Sequence, residues 1–400
     1  MSNSAVPLHK KPRAWLLVLC VALIAMNMRG PFVAVAPVVG DLQRELGLSA
    51  VELGLLTSIP VLCFAVASPF ASWSGRKFGA EFSILLTLAG VLLGVVLRSA
   101  AGSGLAIVGT ILIGVAITIG NIAVPLIVRR DFSPARQGSA MGIYTAALNI
   151  GSFITSMTTA PLAEWLGWRI SLASCGLLAV AALVAWLWVI GPRRALIPEA
   201  VALPDGPPPT PHSGSGIITL GLTLGFAGQA FSYYGVTAWL PSFLSDELGM
   251  SRAGAGAGSS LFQILAIVGG LGVPLAARFA STTTVAITLG ALWVTVPGGL
   301  LLAPNLWWLW SALGGVAQGG GITIIFLAII KLARDQAAAG RMSAVVQGSG
   351  YAAAAVSPLL IGFVHDQSHS WFLPLLLLLA STLLFFIATV LSVRKVPRGA

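Results

Sequence analysis

Long apolar runs separated by short polar segments follow one another along nearly the whole chain. A helix needs about 20 apolar residues to cross the hydrocarbon core of a membrane. Twelve runs come close to or exceed this length, at 14–38, 51–73, 82–99, 103–128, 138–162, 168–190, 216–240, 252–276, 282–303, 307–330, 342–364 and 371–393. The first run is too long for a cleavable signal peptide and carries Arg29 near its middle. The pattern predicts an all-α membrane protein with twelve transmembrane helices.

Composition supports this interpretation. Of the 400 residues, 57% are hydrophobic and only 8% are charged, whereas soluble domains carry roughly 25% charged residues. So little charge excludes a water-soluble enzyme, a disordered protein and a nucleic-acid-binding protein. The three cysteines lie inside apolar runs without metal-ligand spacing, and no Ser/His/Asp cluster is present. We therefore expect no catalytic residue, no metal and no cofactor.

The basic residues indicate the orientation in the membrane. With the N-terminus inside, the cytoplasmic segments hold 17 of the 22 Lys and Arg residues, the outer segments hold four, and Arg29 lies within the membrane. Cytoplasmic loops of membrane proteins carry an excess of Lys and Arg. The bias predicts a multi-pass protein of the bacterial inner membrane with both termini in the cytoplasm.

The chain divides into two similar halves. Residues 191–215 contain seven prolines, which is typical of an extended linker on the cytoplasmic side. Residues 45–49 (ELGLS) reappear as ELGMS at 247–251, an offset of 202, and three further pairs match at offsets of 201 to 204. We expect six-helix bundles at 1–190 and 216–400, related by a pseudo-twofold axis along the membrane normal. This is the architecture of a major facilitator, in which substrate binds between the halves.

Arg29 is the one charged residue predicted to lie well inside an apolar run. All twelve acidic residues can be assigned to loops or helix ends, so Arg29 has no carboxylate at its depth. A guanidinium without a counter-ion suits an anion or a strongly polar acceptor such as a nitro group. The alternative is a structural role, bonded to backbone carbonyls that Pro31 releases. Pro31 frees the carbonyl of Asn27, as Pro125 frees that of Asn121.

Other polar residues fall at helical spacing on shared faces of the predicted spans. Aligning the two halves on Pro37 and Pro241 places Tyr233 opposite Arg29. Each residue alone could equally hold helices together, but as a set they predict a cavity between the halves. With Arg29, the candidate substrate-binding residues are Asn27, Asn121, Tyr144, Asn149, Gln229, Tyr233, Tyr234, Gln263, Gln318, Gln347 and Tyr351.

Two Gly-rich stretches, 254–258 and 319–321, have neither a preceding strand nor a following Lys-Ser/Thr. A phosphate-binding loop is therefore rejected in favour of close helix packing. Asp366, after His365 at the end of the eleventh run, is a candidate gating residue.

Several short motifs give the chain a family resemblance. It resembles the cyanate permease / 2-nitroimidazole transporter family of major facilitators over about residues 14–395. The motifs are NMRGP at 27–31, GN at 120–121, RDF at 130–132, GWR at 167–169, YGVTAWLP at 234–241, QGSGY at 347–351 and GFVHD at 362–366. The resemblance implies the major facilitator fold and transport by alternating access.

The chain departs from the family pattern at two places. Gly30 stands between Arg29 and the proline that usually follows it directly. Between spans two and three, the superfamily's Asp-Arg-x-Gly motif becomes Arg-Lys-Phe-Gly, with Arg76 in place of the aspartate. We take Arg76 and Lys77 as candidate gating residues and expect a cytoplasmic gate that differs from the usual one.

The sequence thus predicts a secondary transporter for a small anion or compact polar heterocycle, with Arg29 as the main contact. Its partners would be this small-molecule substrate and membrane lipid, with no nucleic acid. Protons stay open as the coupling ion, and a monomer is expected for this fold. The alternative is an exporter of neutral or hydrophobic drugs or toxic compounds. The absence of membrane-embedded acids, which hold cations in drug pumps, disfavours hydrophobic drugs, whereas neutral or anionic compounds stay open as export substrates.

Overall fold

The structure is a computed structural model, and it describes residues 14–100, 102–198, 216–333 and 336–394. Within these residues the regular structure is helical. The first part holds α1 (Ala14–Met26), α2 (Gly30–Val33), α3 (Val39–Leu46), α4 (Ala50–Val66), α5 (Ser68–Ser99), α6 (Ser103–Asp131), α7 (Pro134–Leu166), α8 (Trp168–Ile190) and α9 (Pro192–Leu196). The second holds α10 (Gly216–Leu248), α11 (Arg252–Ile264), α12 (Ala266–Ala276), α13 (Thr282–Leu302), α14 (Trp307–Leu332), α15 (Gln336–Ser368) and α16 (Phe372–Val393). Short 3-10 helices lie at Ala36–Val38 and Pro304–Leu306.

The predicted spans fall on these helices. In the described part of the chain, nine helical stretches are long and apolar enough to cross a membrane, and Val51–Val66 is a shorter apolar helix. The two remaining predicted runs, 138–162 and 216–240, lie within α7 and α10, which are 33 residues each. Large apolar side chains on the outward face of α8 are exposed, as lipid contact requires. The all-α fold is confirmed.

The ends of the helices and the bends within them do not coincide with the ends of the apolar runs. The helices α7, α10 and α15 continue past the ends of their apolar runs, because hydropathy marks the lipid-facing length and not the helix end. The stretch labelled α5 bends at Gly79, whose φ of 79° and ψ of 166° are not helical. Spans two and three therefore meet at this glycine, which tolerates positive φ without strain. Pro125 lies inside α6 without ending it.

Small residues bring helix backbones into direct contact. A Cβ added to Gly269 of α12 would lie 1.8 Å from the carbonyl of Val316 in α14, and one on Gly319 would lie 2.0 Å from the carbonyl of Ala266. A Cβ on Gly256 would lie 3.2 Å from the carbonyl of Ser156. Small residues permit such close packing of membrane helices, which confirms the interpretation of the Gly-rich stretches.

Helices before and after the proline-rich segment meet along one seam. The helix α4 packs against α15, α7 packs against α11, and the 3-10 helix Ala36–Val38 packs against α10. Of the predicted linker, the structure describes residues 191–198, which include α9. Residues 199–215 lie outside the described part of the chain.

Candidate substrate site between the two halves

The first predicted span is interrupted at Arg29. The helix α1 ends at Met26 and α2 begins at Gly30. The amides of Asn27 and Met28 bond carbonyls three residues back, at 3.0 and 2.9 Å, and Arg29 has φ −125° and ψ −36°. Pro31 occupies the first turn of α2, where a missing amide donor costs no helical bond. The expected break is therefore present, and it lies at the arginine itself.

The guanidinium of Arg29 contacts neutral groups from both sides of the seam. Its Nη1 donates a hydrogen bond to Asn149 Oδ1 on α7 at 3.1 Å. Its Cζ lies 5.1 Å from the ring centroid of Tyr233 on α10, within the range of a cation–π interaction. Among the described residues, no carboxylate pairs with Arg29. The positive charge is held in place without being neutralised.

The four tyrosines of the chain lie on α7, α10 and α15, and Tyr233 contacts the Arg29 guanidinium. Tyr144 donates from its hydroxyl to Asn121 Oδ1 at 3.0 Å. The rings of Tyr233 and Tyr234 meet edge to face, with centroids 4.9 Å apart. Tyr351 of α15 packs edge-on against aromatic rings of α4 and α10, at 5.5 and 5.1 Å. The structure thus places Tyr233 against the cation, with Tyr234 packed against Tyr233.

Glutamines lie behind Tyr233 in the second half. The Tyr233 hydroxyl is 3.4 Å from Gln263 Oε1, and Gln263 Nε2 donates to Thr237 Oγ1 at 3.2 Å. Gln229 Nε2 donates to the backbone carbonyl of Gln318 at 3.2 Å. The amide of Gln318 is buried and has no partner among the described residues. Gln263 therefore orients Tyr233, while Gln229 joins α10 to α14.

The side-chain amides of two candidates, Asn27 and Gln347, donate hydrogen bonds within their own half. The Asn27 amide is buried and donates to the carbonyls of Leu23 and Leu178, at 2.8 and 3.1 Å, so it ties α1 to α8. Gln347 donates to Ser343 Oγ on its own helix at 2.7 Å. Neither contact connects the two halves.

The seam is closed at the end that the charge bias assigns to the outside, here called the outer end. Asp41 of α3 bonds Arg252, the first residue of α11. Below this pair lies a cavity of about 10 Å³, lined by Phe32, Val33, Ala36, Thr57, Tyr234, Thr237 and Ala238. Such a volume holds about one water molecule. In the conformation described, the Asp41–Arg252 pair therefore joins the two halves at this end.

The opposite, inner end carries an ion-pair network within the first half. Glu81 accepts from Arg130 Nη1 and Nη2 at 3.1 and 2.7 Å, and pairs with Arg194 of α9 at 2.6 Å. Arg130 also pairs with Asp131 at 2.7 Å. From the sequence, Glu81 is expected in a loop or at a helix end. Its position two residues after the Gly79 bend, opposite the Arg130-Asp131 pair, is the signal that could have indicated this network.

The proposed gating residues stand apart from that network. Arg76 and Lys77 are exposed, and Lys77 Nζ lies 4.8 Å from the ring of Trp73. Within the described ranges neither forms an ion pair, and neither does the partly buried Asp366. The neighbouring His365 ring lies 4.1 Å from Trp371.

A second arginine, Arg98, is buried inside the first half, contrary to the expectation from the sequence. Arg98 was assigned to an outer segment, which left Arg29 as the only charge within a span. In the structure Arg98 is only 2% exposed, and its Nη1 donates to the carbonyl of Pro31. An arginine one residue before the end of an apolar run can bury its side chain against the neighbouring helices, so its position in sequence did not show its burial.

Comparison with known proteins defines the class. The sequence matches the Major Facilitator Superfamily over residues 16–338, and the chain belongs to this superfamily. It is a multi-pass membrane transporter and not an enzyme.

Particular relatives place it more narrowly. It is 30% identical to the "Uncharacterized transporter YycB" of Bacillus subtilis (strain 168), over 94% of this chain and 92% of the relative. It is 30% identical to the "2-nitroimidazole transporter" of Escherichia coli (strain K12), over 90% and 91%. The identity to the "Cyanate transport protein CynX" of the same organism is 27%, over 89% and 91%. The resemblance to the cyanate permease / 2-nitroimidazole transporter family is confirmed.

A solved structure supports the fold. A D-xylose-proton symporter superposes with a TM-score of 0.77 at 13% identity, covering 96% of this chain and 98% of that one. At this identity the likeness concerns the fold alone.

Proposed function

We propose that this protein moves a small anion or a compact polar heterocycle across the bacterial inner membrane by alternating access, with Arg29 as the main substrate contact. The observation that carries the proposal is the un-neutralised guanidinium of Arg29, held between the halves by Asn149 and Tyr233. A cation within a membrane span is costly unless it is paired or faces a cavity, and Arg29 is only partly buried. Here Asn149 is the one side-chain oxygen that it bonds among the described residues.

The chemistry of the surrounding groups narrows the substrate class. A planar guanidinium offers a fork of N–H donors to an acceptor with two oxygens or with one exposed nitrogen. The nearby tyrosine rings supply flat apolar faces on which a small planar solute could stack. A nitro group on an imidazole ring and a small linear or planar anion both fit this combination. The names of two relatives, which refer to 2-nitroimidazole and cyanate, agree with it.

The halves supply the means of transport. We take 1–190 and 216–400 as the two moving bundles, 191–215 as a cytoplasmic linker and both termini as cytoplasmic. In the described conformation the Asp41–Arg252 pair closes the outer end, so Arg29 would exchange solute with the inner side. Rocking about the seam would open the outer end and close the inner one.

An exporter of neutral or hydrophobic compounds is the second candidate. The observation that favours it is a stack of aromatic rings beside Tyr233. The ring centroid of Phe262 lies 6.1 Å from that of Tyr233 and 5.7 Å from that of Trp293. In such an exporter the rings would bind the solute and Arg29 would contribute little.

Thermal stabilisation of the purified protein separates these functions. Cyanate, nitrate, acetate and 2-nitroimidazole would each be titrated into the wild type, Arg29→Gln and Arg29→Lys. A ligand that binds only the native state raises Tm as its concentration exceeds Kd. We expect at least one polar probe to stabilise the wild type and to lose its effect in both variants. Stabilisation that survives in Arg29→Gln would contradict the proposed contact.

A further inference from the structure

Arg98 is a buried cation that the proposed function does not use. It lies at the outer end of α5 with 2% of its surface exposed. Across the described ranges it forms no ion pair, and its Nε and Nη2 atoms have no hydrogen-bond partner. A permanent charge in this position is costly unless a contact offsets it. The one hydrogen bond that Arg98 forms is therefore the contact that can offset the cost of its buried charge.

That bond goes to a carbonyl that is released where α2 ends at Val33. In a regular helix the amide of Val35 would bond the carbonyl of Pro31, but it donates instead to Phe32 at 3.3 Å. The carbonyl of Pro31 is thus left without a backbone donor, and Arg98 Nη1 supplies one. Charge-assisted bonds of this kind are stronger than those between neutral groups.

Neighbouring helices fix both sides of the contact. A Cβ on Gly109 of α6 would lie 2.5 Å from the backbone nitrogen of Arg98, so α5 is pressed directly against α6 there. On the other side, a Cβ on Gly151 of α7 would lie 2.3 Å from the carbonyl of Met26. The interrupted first span therefore packs against α7 at Met26 and is bonded by Arg98 at Pro31. Arg29 lies between these two contacts, two residues before Pro31.

We propose that Arg98 is a positioning residue, which holds the broken first span so that Arg29 reaches Asn149 and Tyr233. The inference rests on the proposed role of Arg29 in substrate binding. It assigns Arg98 no contact with the substrate.

Hydrogen–deuterium exchange tests the holding role without any ligand. Arg98→Met removes the donor, and Arg98→Lys keeps one donor on a flexible stem. We expect the amides of Gly30 and of residues 32–35 to exchange at least about tenfold faster in Arg98→Met, because the bond that fixes the segment is lost. Arg98→Lys should lie near the wild type. Arg169→Met is the matched control, since Arg169 sits at the outer end of the first half but bonds Glu45 and the Ala100 carbonyl. Unchanged exchange in Arg98→Met would overturn the proposal, as would equal acceleration in the control.

A double-mutant cycle tests whether Arg98 acts through Arg29. With 2-nitroimidazole or nitrate as the probe, Arg98→Met should weaken binding about tenfold in the wild type and have no further effect in Arg29→Gln. Losses that add would show an independent contribution and overturn the positioning role. If Arg98→Met does not fold, Arg98→Lys against Arg98→Gln gives the same comparison. If exchange rises in Arg98→Met but no probe binds the wild type, the holding role is supported and the proposed function fails.

Discussion

We expect the Asp41–Arg252 ion pair to stabilise the outer-closed conformation relative to the outer-open one. Asp41 bonds Arg252 across the seam and also bonds Arg44 on its own helix at 2.5 Å. The side chains of Asp41 and Arg252 are 15% and 45% exposed, so solvent screens the pair in part. Such a pair contributes about 1 kcal/mol. Asp41→Asn should therefore raise the ratio of outer-open to outer-closed molecules about fivefold.

Distances between spin labels can measure this ratio. Gln43 and Glu247 are exposed positions beside the pair, one in each half, and they would be changed to Cys after the three native cysteines are replaced. Double electron–electron resonance would then report the outer-closed and outer-open populations as separate distances. In Asp41→Asn the ratio of the population at the longer distance to the population at the shorter distance should rise about fivefold.

Matched variants decide whether the pair itself is responsible. Arg252→Gln should reproduce the shift, and the double variant with Asp41→Asn should add nothing to it. Arg44→Gln removes the other partner of Asp41 and leaves the seam pair, so it should not open the outer end. An unchanged distance distribution in Asp41→Asn, or an equal shift in Arg44→Gln, would refute the reasoning.

Three further predictions concern the site and the packing around it. Asn149→Asp would neutralise Arg29 and abolish stabilisation by anionic probes, whereas Asn149→Ala should retain part of it; equal retention in both would contradict this. Gly151→Ala should lower Tm by several degrees, because overpacking costs about 1–3 kcal/mol, while Gly104→Ala, with open space around it, should not; a similar Tm for both would argue against the close contact. Glu81→Gln should lower Tm because it leaves Arg194 without its carboxylate and Arg130 with Asp131 alone, and an unchanged Tm would show that solvent screens the network.

Much of the fold could be predicted because the membrane simplifies the problem. Every spanning segment must satisfy its backbone internally, so a long apolar run implies a helix. The helix ends could not be read in the same way, since the polar ends of α7, α10 and α15 continue as helix outside the apolar length. The break at Arg29 was expected from Gly30 and Pro31, while Pro125 causes no break in α6. A proline shows from the sequence where a backbone N–H donor is missing. Whether the helix breaks there depends on how it packs against its neighbours.

Parts of the site depend on contacts that a sequence does not show. The repeat placed Tyr233 opposite Arg29, and the structure has the two in contact. Asn27 is also polar but faces α8, because its position two residues before Arg29 points its side chain in another direction. Arg98 and Glu81 stood near the ends of apolar runs, where a charged residue is usually solvated. Their burial and pairing follow from neighbouring helices that are distant in sequence.

Counterflow in proteoliposomes tests the central claim most directly. Vesicles containing the purified protein would be loaded with unlabelled nitrate or 2-nitroimidazole and diluted into labelled compound. For at least one of these probes we predict transient accumulation with the wild type and none with Arg29→Gln, when both proteins are equally folded and inserted. Accumulation of the same size in Arg29→Gln would show that the substrate path does not depend on this arginine and would contradict the account.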